Sequence, residues 1–186
     1  MRLFVALQIS DEIRAAIAAL GHGLKPLDVS WKWTRAENLH VTLKFLGEIP
    51  SDKLESIRQA LRGVPGEWPI EVKFSGLGFF PNERRPRVLW VGMKAPQSLP
   101  ELAAAIEAAL AKVGVPREER EFTPHLTLAR SKAERIAPRL REGLAKHSTK
   151  EFGMMNASAF HLIESKLKST GPEYTTLESF PGACDL

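Results

Sequence analysis

A short phrase that this 186-residue chain states twice constrains its fold more than any other feature. The first copy is Leu39-His40-Val41-Thr42-Leu43-Lys44-Phe45-Leu46-Gly47, and the second is Pro124-His125-Leu126-Thr127-Leu128-Ala129-Arg130. Both are short, rich in branched and apolar residues, and alternate with period 2, the pattern of a half-buried β-strand. Residues i and i+2 of a strand share a face. His40 therefore stands beside Thr42, and His125 beside Thr127, while Val41, Leu43, Leu126 and Leu128 point into a core. Strict alternation continues Lys44 onto the His40 face, where it reads as a solvated strand end, and sends Phe45 to the core face unless the strand ends or bulges first.

The surrounding chain repeats an order of elements. A strand over 2–9 leads to a helix that Ser10 caps, with Asp11 and Glu12 in its first turn, and the glycines at 21 and 23 end it. Trp31-Lys32-Trp33 reads as a short strand. After the first phrase, Ser51 caps a second helix to about Arg62. A hairpin follows over 71–93, its tip carrying Arg84, Arg85 and Arg87. A third helix runs to about Val113 with Leu102, Ile106 and Leu110 as its stripe, and Gly114 ends it. The second phrase is followed by a helix over 133–146, which Pro138 confines or kinks. A second hairpin follows, with one long strand over 151–165, a turn through Gly171-Pro172, and a return over 174–180. Phrase, helix and hairpin thus recur in two units of about 38–94 and 123–181, with His40 and His125 85 residues apart. That recurrence predicts two lobes related by a pseudo-two-fold axis within one domain spanning 1–186. The class is α+β, with antiparallel or mixed sheets lining a central groove and helices packed outside.

Composition narrows the function classes. Hydrophobic content of 44% and charged content of 26% are those of an ordinary globular protein, and a formal net charge of +4 is compatible with an anionic ligand. No apolar stretch approaches the ~20 residues that span a bilayer, and the first residues are too short an apolar run for a signal peptide. The expected location is the cytoplasm, with no membrane and no obligate protein partner, and a monomer as the default. The single cysteine, Cys184, excludes an intrachain disulfide and a cysteine zinc site. No glycine-rich P-loop occurs.

Two imidazoles on opposite walls of a cleft suit general acid–base chemistry, because each has an ordinary pKa of ~6.5, so that one can be protonated while the other is neutral. Such a pair serves in-line displacement at phosphorus: one takes the proton of the attacking oxygen and the other protonates the departing one. Thr42 and Thr127 are placed to bond phosphoryl oxygens, and Arg130 to stabilise charge. The scheme needs no metal or cofactor. Catalytic zinc usually takes three protein ligands, and His22, His147 and His161 lie outside the phrases. His22 and His147 read as surface residues, His161 as a histidine satisfied within a strand.

The paired His-x-Thr-Leu phrases resemble the signature of the 2H phosphoesterase superfamily. Further stretches resemble its RNA 2′,3′-cyclic phosphodiesterase branch, historically called 2′-5′ RNA ligase: residues 1–6, 38–48, Phe79-Phe80-Pro81, 86–92, 124–130, and Leu162-Ile163-Glu164-Ser165 with Gly171-Pro172-Glu173-Tyr174-Thr175. The resemblance covers essentially the whole chain. It implies a bilobal fold with both motif strands lining a groove, and hydrolysis of an RNA 2′,3′-cyclic phosphate end to a 2′-phosphate. It implies His40 as the proton donor to the departing 3′ oxygen and His125 as the acceptor that activates water. Thr42 and Thr127 would hold the phosphate, Arg130 would contact the terminal nucleotide, and Phe45 would stack on a base. The partners expected are RNA ends, tRNA halves or small cyclic phosphates. Two alternatives stay open. The same residues serve the reverse, ligating reaction with a 5′-hydroxyl RNA, and a non-catalytic RNA-end binder would use the same groove with Arg84, Arg85, Arg87 and Arg130.

Overall fold

The computed structural model describes residues 1–133, 135–169 and 171–181, so Cys184 lies outside the described residues. The strands are β1 (Arg2–Gln8), β2 (Trp31–Trp33), β3 (His40–Glu48), β4 (Ile70–Phe80), β5 (Val88–Lys94), β6 (His125–Ser131), β7 (Glu151–Ala157), β8 (Ala159–Lys168) and β9 (Gly171–Pro181). The helices are α1 (Asp11–Leu24), α2 (Leu54–Arg62), α3 (Ser98–Lys112) and α4 (Pro138–Ala145). The fold is α+β. One curled sheet has the order β7-β4-β5-β6-β3-β1-β8-β9, with β2 added beside β6, and every pairing is antiparallel.

The two motif strands sit at the middle of this order and meet at Val41–Leu126. On either side the order reads symmetrically outward: β1 against β3, then β8 and β9; β5 against β6, then β4 and β7. Chain order gives the same correspondence. With β2 and β7 set aside as additions, β1-α1-β3-α2-β4 is repeated as β5-α3-β6-α4-β8, so each unit begins with the strand before its first helix, not with the phrase. The third strand of each unit crosses to the other half: β4 pairs with β5, and β8 with β1. The halves of the sheet therefore do not coincide with the stretches 38–94 and 123–181, because each half draws strands from both. Helices exchange likewise, with α1 against β7 and α4, and α2 against α3 and β9.

One face of the sheet is the main core. Leu3, Val5 and Leu7 of β1, Val41 of β3, Leu89 and Val91 of β5 and Leu126 of β6 are fully buried there with Ile13 and Ile17 of α1 and Leu102, Ile106 and Leu110 of α3. The helical stripe of α3 is thus the one its 3.6-residue period dictates. Ser10 caps α1 as its chemistry requires, its hydroxyl accepting from Ile13 N–H at 3.4 Å. The other face of the sheet forms the cleft.

Four local expectations are corrected. The glycines at 21 and 23 do not stop α1, which runs through them to Leu24. Helix packing outweighs the ~1 kcal/mol cost of an interior glycine; Gly21 lies against the Trp33 ring. Ser51 opens a 3₁₀ turn over Ser51–Lys53, and α2 starts at Leu54 without a side-chain cap. Pro138 takes the first turn of α4, where its missing N–H costs nothing, so that helix is shorter than 133–146. The long strand over 151–165 is two strands: β7 joins β4 at one edge of the sheet, and β8 joins β1 and β9 in the other half.

Candidate active site

Register sets the geometry of the cleft. Around the Val41–Leu126 pair, antiparallel pairing brings His40 alongside Thr127 and Thr42 alongside His125. All four project from the face opposite Val41 and Leu126, and all four are half-buried. Gln8 pairs with His40 and Ala6 with Thr42 on one side; Gly92 pairs with His125 and Trp90 with Thr127 on the other.

Each imidazole is held the same way. His40 Nδ1 lies 2.7 Å from the carbonyl of Asn38, and His125 Nδ1 lies 2.8 Å from the carbonyl of Thr123, in each case two residues upstream. A carbonyl only accepts, so both Nδ1 atoms carry hydrogen, which leaves Nε2 of each ring as the nitrogen available for proton transfer. His40 Nε2 is 3.0 Å from Thr42 Oγ1. In neutral His40 this nitrogen accepts from the hydroxyl. Burial lowers the His40 pKa below the ordinary imidazole value. The Asn38 carbonyl raises it, and the charges of Arg130 and His125 lower it further. Burial thus favours the neutral imidazole of His40 over the imidazolium. The buried Asn38 also donates through Nδ2 to the Pro172 carbonyl at 2.8 Å, tying the start of β9 to the His40 strand.

A β-bulge after each motif decides what comes next. Val5 pairs with Lys44 but Ala6 pairs with Thr42, leaving Leu43 as the extra residue; Leu89 pairs with Ala129 but Trp90 with Thr127, leaving Leu128 as the extra residue. A bulge inserts one residue and shifts the alternation by one. Phe45 consequently emerges on the cleft face opposite Phe4, 53% exposed, and Arg130 emerges exposed at the corresponding position of the other half. Lys44 is turned inward. Its expected place on the His40 face is corrected: it is buried, with Nζ 2.8 Å from both Glu107 of α3 and the Pro116 carbonyl. Glu107 also accepts from Glu118 N–H at 2.9 Å, so this ion pair anchors the loop that leads to His125.

Aromatic rings, which period-2 reasoning did not gather, close around both histidines. Phe4 and Tyr174 lie 4.7 and 5.4 Å from the His40 ring, and Phe80 meets His125 edge-on at 4.9 Å. Phe4 is 5.9 Å from Phe45, and Trp90 is 5.3 Å from Phe80. The sequence signal for Phe4 and Trp90 was available, since they lie on the strands that flank the motifs, but which strands flank them is a property of the sheet. His161 is half-buried beside Ala6, Nδ1 2.9 Å from Ser179 Oγ, as a satisfied strand histidine should be. His22 is exposed, whereas His147 is partly covered. Arg84 and Arg85 are exposed on the β4–β5 turn. Among the described residues, no three His, Cys, Asp or Glu side chains gather as a metal set, and no helix is long and apolar enough to cross a membrane.

A curled antiparallel sheet with one His-x-Thr strand on each side of its cleft defines the 2H phosphoesterase class. The chain belongs to the LigT-like phosphoesterase family, whose pattern it matches twice, over residues 7–90 and 91–174. It is 38% identical to an RNA 2′,3′-cyclic phosphodiesterase of Archaeoglobus fulgidus over 97% of this chain and 99% of that protein. The crystal structure of TT0787 of Thermus thermophilus, 34% identical, superposes with a TM-score of 0.83 over 99% of this chain and 100% of the other. That of E. coli LigT complexed with 3′-AMP, 26% identical, superposes with a TM-score of 0.80 over 98% of each chain.

Proposed function

We propose that this protein hydrolyses the 2′,3′-cyclic phosphate at an RNA 3′ end to a 2′-phosphate, with His40 as general acid and His125 as general base. The observation that carries the reading is the pair of imidazoles on the adjacent motif strands, on one face of the sheet, each with Nδ1 fixed by a backbone carbonyl two residues upstream and each beside a threonine. His125 Nε2 takes the proton of the attacking water. The water oxygen bonds to phosphorus, the P–O3′ bond breaks, and His40 delivers a proton to O3′. Thr42 and Thr127 hold non-bridging oxygens, Arg130 supplies positive charge at the phosphate, and Phe45 offers its exposed ring to the terminal base.

To act as the acid, His40 must carry the proton that its burial disfavours. An anionic phosphodiester beside it favours the imidazolium, offsetting the burial that disfavours it. Substrate binding and activation of the acid are coupled in this way. The names of the relatives support RNA as the substrate class, and the complex of E. coli LigT with 3′-AMP supports a nucleotide ligand.

The test is a short RNA ending in a 2′,3′-cyclic phosphate, incubated with the protein in EDTA with and without a 5′-hydroxyl RNA. Conversion to a 2′-phosphate is expected in both. Tight binding without conversion would overturn the catalytic reading in favour of an RNA-end binder.

A further inference from the structure

The short strand β2 brings to the cleft a cation that neither motif supplies. Along its partner β6, Leu126 faces Val41 of β3, the Leu128 carbonyl accepts from Thr34 N–H at 2.7 Å, and Ala129, Arg130 and Ser131 face Trp33, Lys32 and Trp31. β2 therefore continues the line of β3 beyond His40, on the side away from Phe45. Directly opposed residues of an antiparallel pair share a face. Trp31, Ala129 and Ser131 are buried, so Lys32 and Arg130 stand side by side on the cleft face, and both are exposed. Like charges in direct register repel. Among the described residues no carboxylate forms an ion pair with either one. The acids nearest to β2 in the chain are engaged elsewhere: Asp28 accepts from Ser30 and from Ala137 N–H, and Glu37 lies 3.9 Å from Arg35. The pair thus calls for an anion from outside the chain. The charge of Arg130 is felt at His40, beside the reacting phosphate, which leaves Lys32 as the cation with no anion assigned to it.

We infer that Lys32, with Arg130 beside it, binds the phosphate that joins the terminal nucleotide to the rest of its own RNA strand, so that the site favours a strand end over a free nucleoside cyclic phosphate. The inference rests on the proposed hydrolysis, with His40 at O3′ and Phe45 at the base, and it follows from the shape of a ribose. The 2′,3′ edge of the sugar is flanked on the O2′ side by C1′, which carries the base. On the O3′ side it is flanked by C4′, which carries C5′ and the 5′-phosphate. When the cyclic phosphate on that edge lies at the histidines, base and 5′-phosphate therefore point to opposite ends of the site. The strands offer the same order along one line: Phe45 for the base, then His40 for O3′, then Lys32. The β6 residues alongside His40 and Lys32 are Thr127 and Arg130, separated by one pleat repeat and the bulge at Leu128, roughly 7–10 Å. A long lysine side chain spans what remains to the next phosphate. Its mobile ammonium suits a backbone phosphate, which fixes the register of a strand and carries no base information.

Two substrates that differ by one charged group test the assignment: adenosine 2′,3′-cyclic phosphate, and the same nucleotide carrying a methyl phosphodiester at O5′. At low salt the second should show a kcat/KM higher on the order of tenfold, the worth of one charge-assisted contact, and the advantage should shrink as salt rises. Each variant is read as the ratio of the two kcat/KM values, which loss of folded protein does not alter. Lys32→Gln should bring that ratio down toward one, and Lys32→Arg should keep most of it. Lys53→Gln removes an equal charge from the exposed turn before α2 and should leave the ratio as it was. A ratio of one in the unmodified protein, a ratio that survives Lys32→Gln, or a ratio that Lys53→Gln lowers equally overturns the phosphate site while leaving hydrolysis standing. Turnover of neither substrate overturns the phosphodiesterase reading and the phosphate site with it.

Discussion

The β3 and β6 halves of the cleft run the same backbone programme and end in opposite chemistry. Each motif strand carries His-x-Thr, bulges at the following leucine, turns the next residue inward and the one after outward. In the first half the inward residue is Lys44 and the outward one Phe45; in the second they are Ala129 and Arg130. Duplicated geometry therefore supplies the shared cradle, two Nδ1-anchored imidazoles and two hydroxyls. The substitutions just beyond the bulges supply direction, an aromatic ring at one end and a cation at the other. Direction is what a reaction at phosphorus needs, because leaving and entering oxygens demand opposite proton transfers.

If the two histidines are equivalent in geometry and different in role, each should be indispensable. His40→Ala and His125→Ala should each lower turnover of a 2′,3′-cyclic phosphate by roughly 10²–10⁴-fold, the usual worth of one general acid or base, while binding of the RNA end persists. Near-normal turnover of either variant, measured in single-turnover assays, breaks the comparison at its centre. A smaller effect is expected from the inward residues. Lys44→Met keeps the volume but removes the cation from Glu107, which retains only the Glu118 N–H, and the donor from the Pro116 carbonyl. Chemical denaturation should show a loss of about 2 kcal/mol, that of polar groups left unsatisfied. At the corresponding place Ala129 makes no such bond, so the second half has no counterpart to this sensitivity.

The smallest predicted effect is the sharpest for the outward pair. Burial, then Arg130 and His125, hold the His40 pKa down against the Asn38 carbonyl. Arg130→Ala removes one of the lowering influences, so the His40 imidazole should titrate at higher pH, as followed by NMR of the free protein. The sign extends to stability. A depressed folded-state pKa means that the unfolded chain takes up the proton first, so stability falls as pH drops from the ordinary imidazole value through the depressed one. Arg130→Ala should narrow that window; no change in the His40 titration would separate Arg130 from the acid.

By itself the sequence determined the strand nature of both motifs, the faces of His40, Thr42, His125 and Thr127, the apolar stripe of α3, and the doubling of the fold. Each of these follows from local periodicity, and the paired His-x-Thr strands carry much of the candidate site with them. Tertiary structure decided the rest. Period 2 cannot announce its own interruption, so the bulges at Leu43 and Leu128, and with them the burial of Lys44 and the exposure of Phe45 and Arg130, emerge only from pairing with β1 and β5. The exchange of β4 and β8 between halves, and the break that sends β7 and β8 to opposite parts of the sheet, depend on which edges were open to them. The same pairings assemble Phe4, Tyr174, Phe80 and Trp90 around the histidines, because neighbours across a sheet are set by hydrogen bonding between strands distant in sequence.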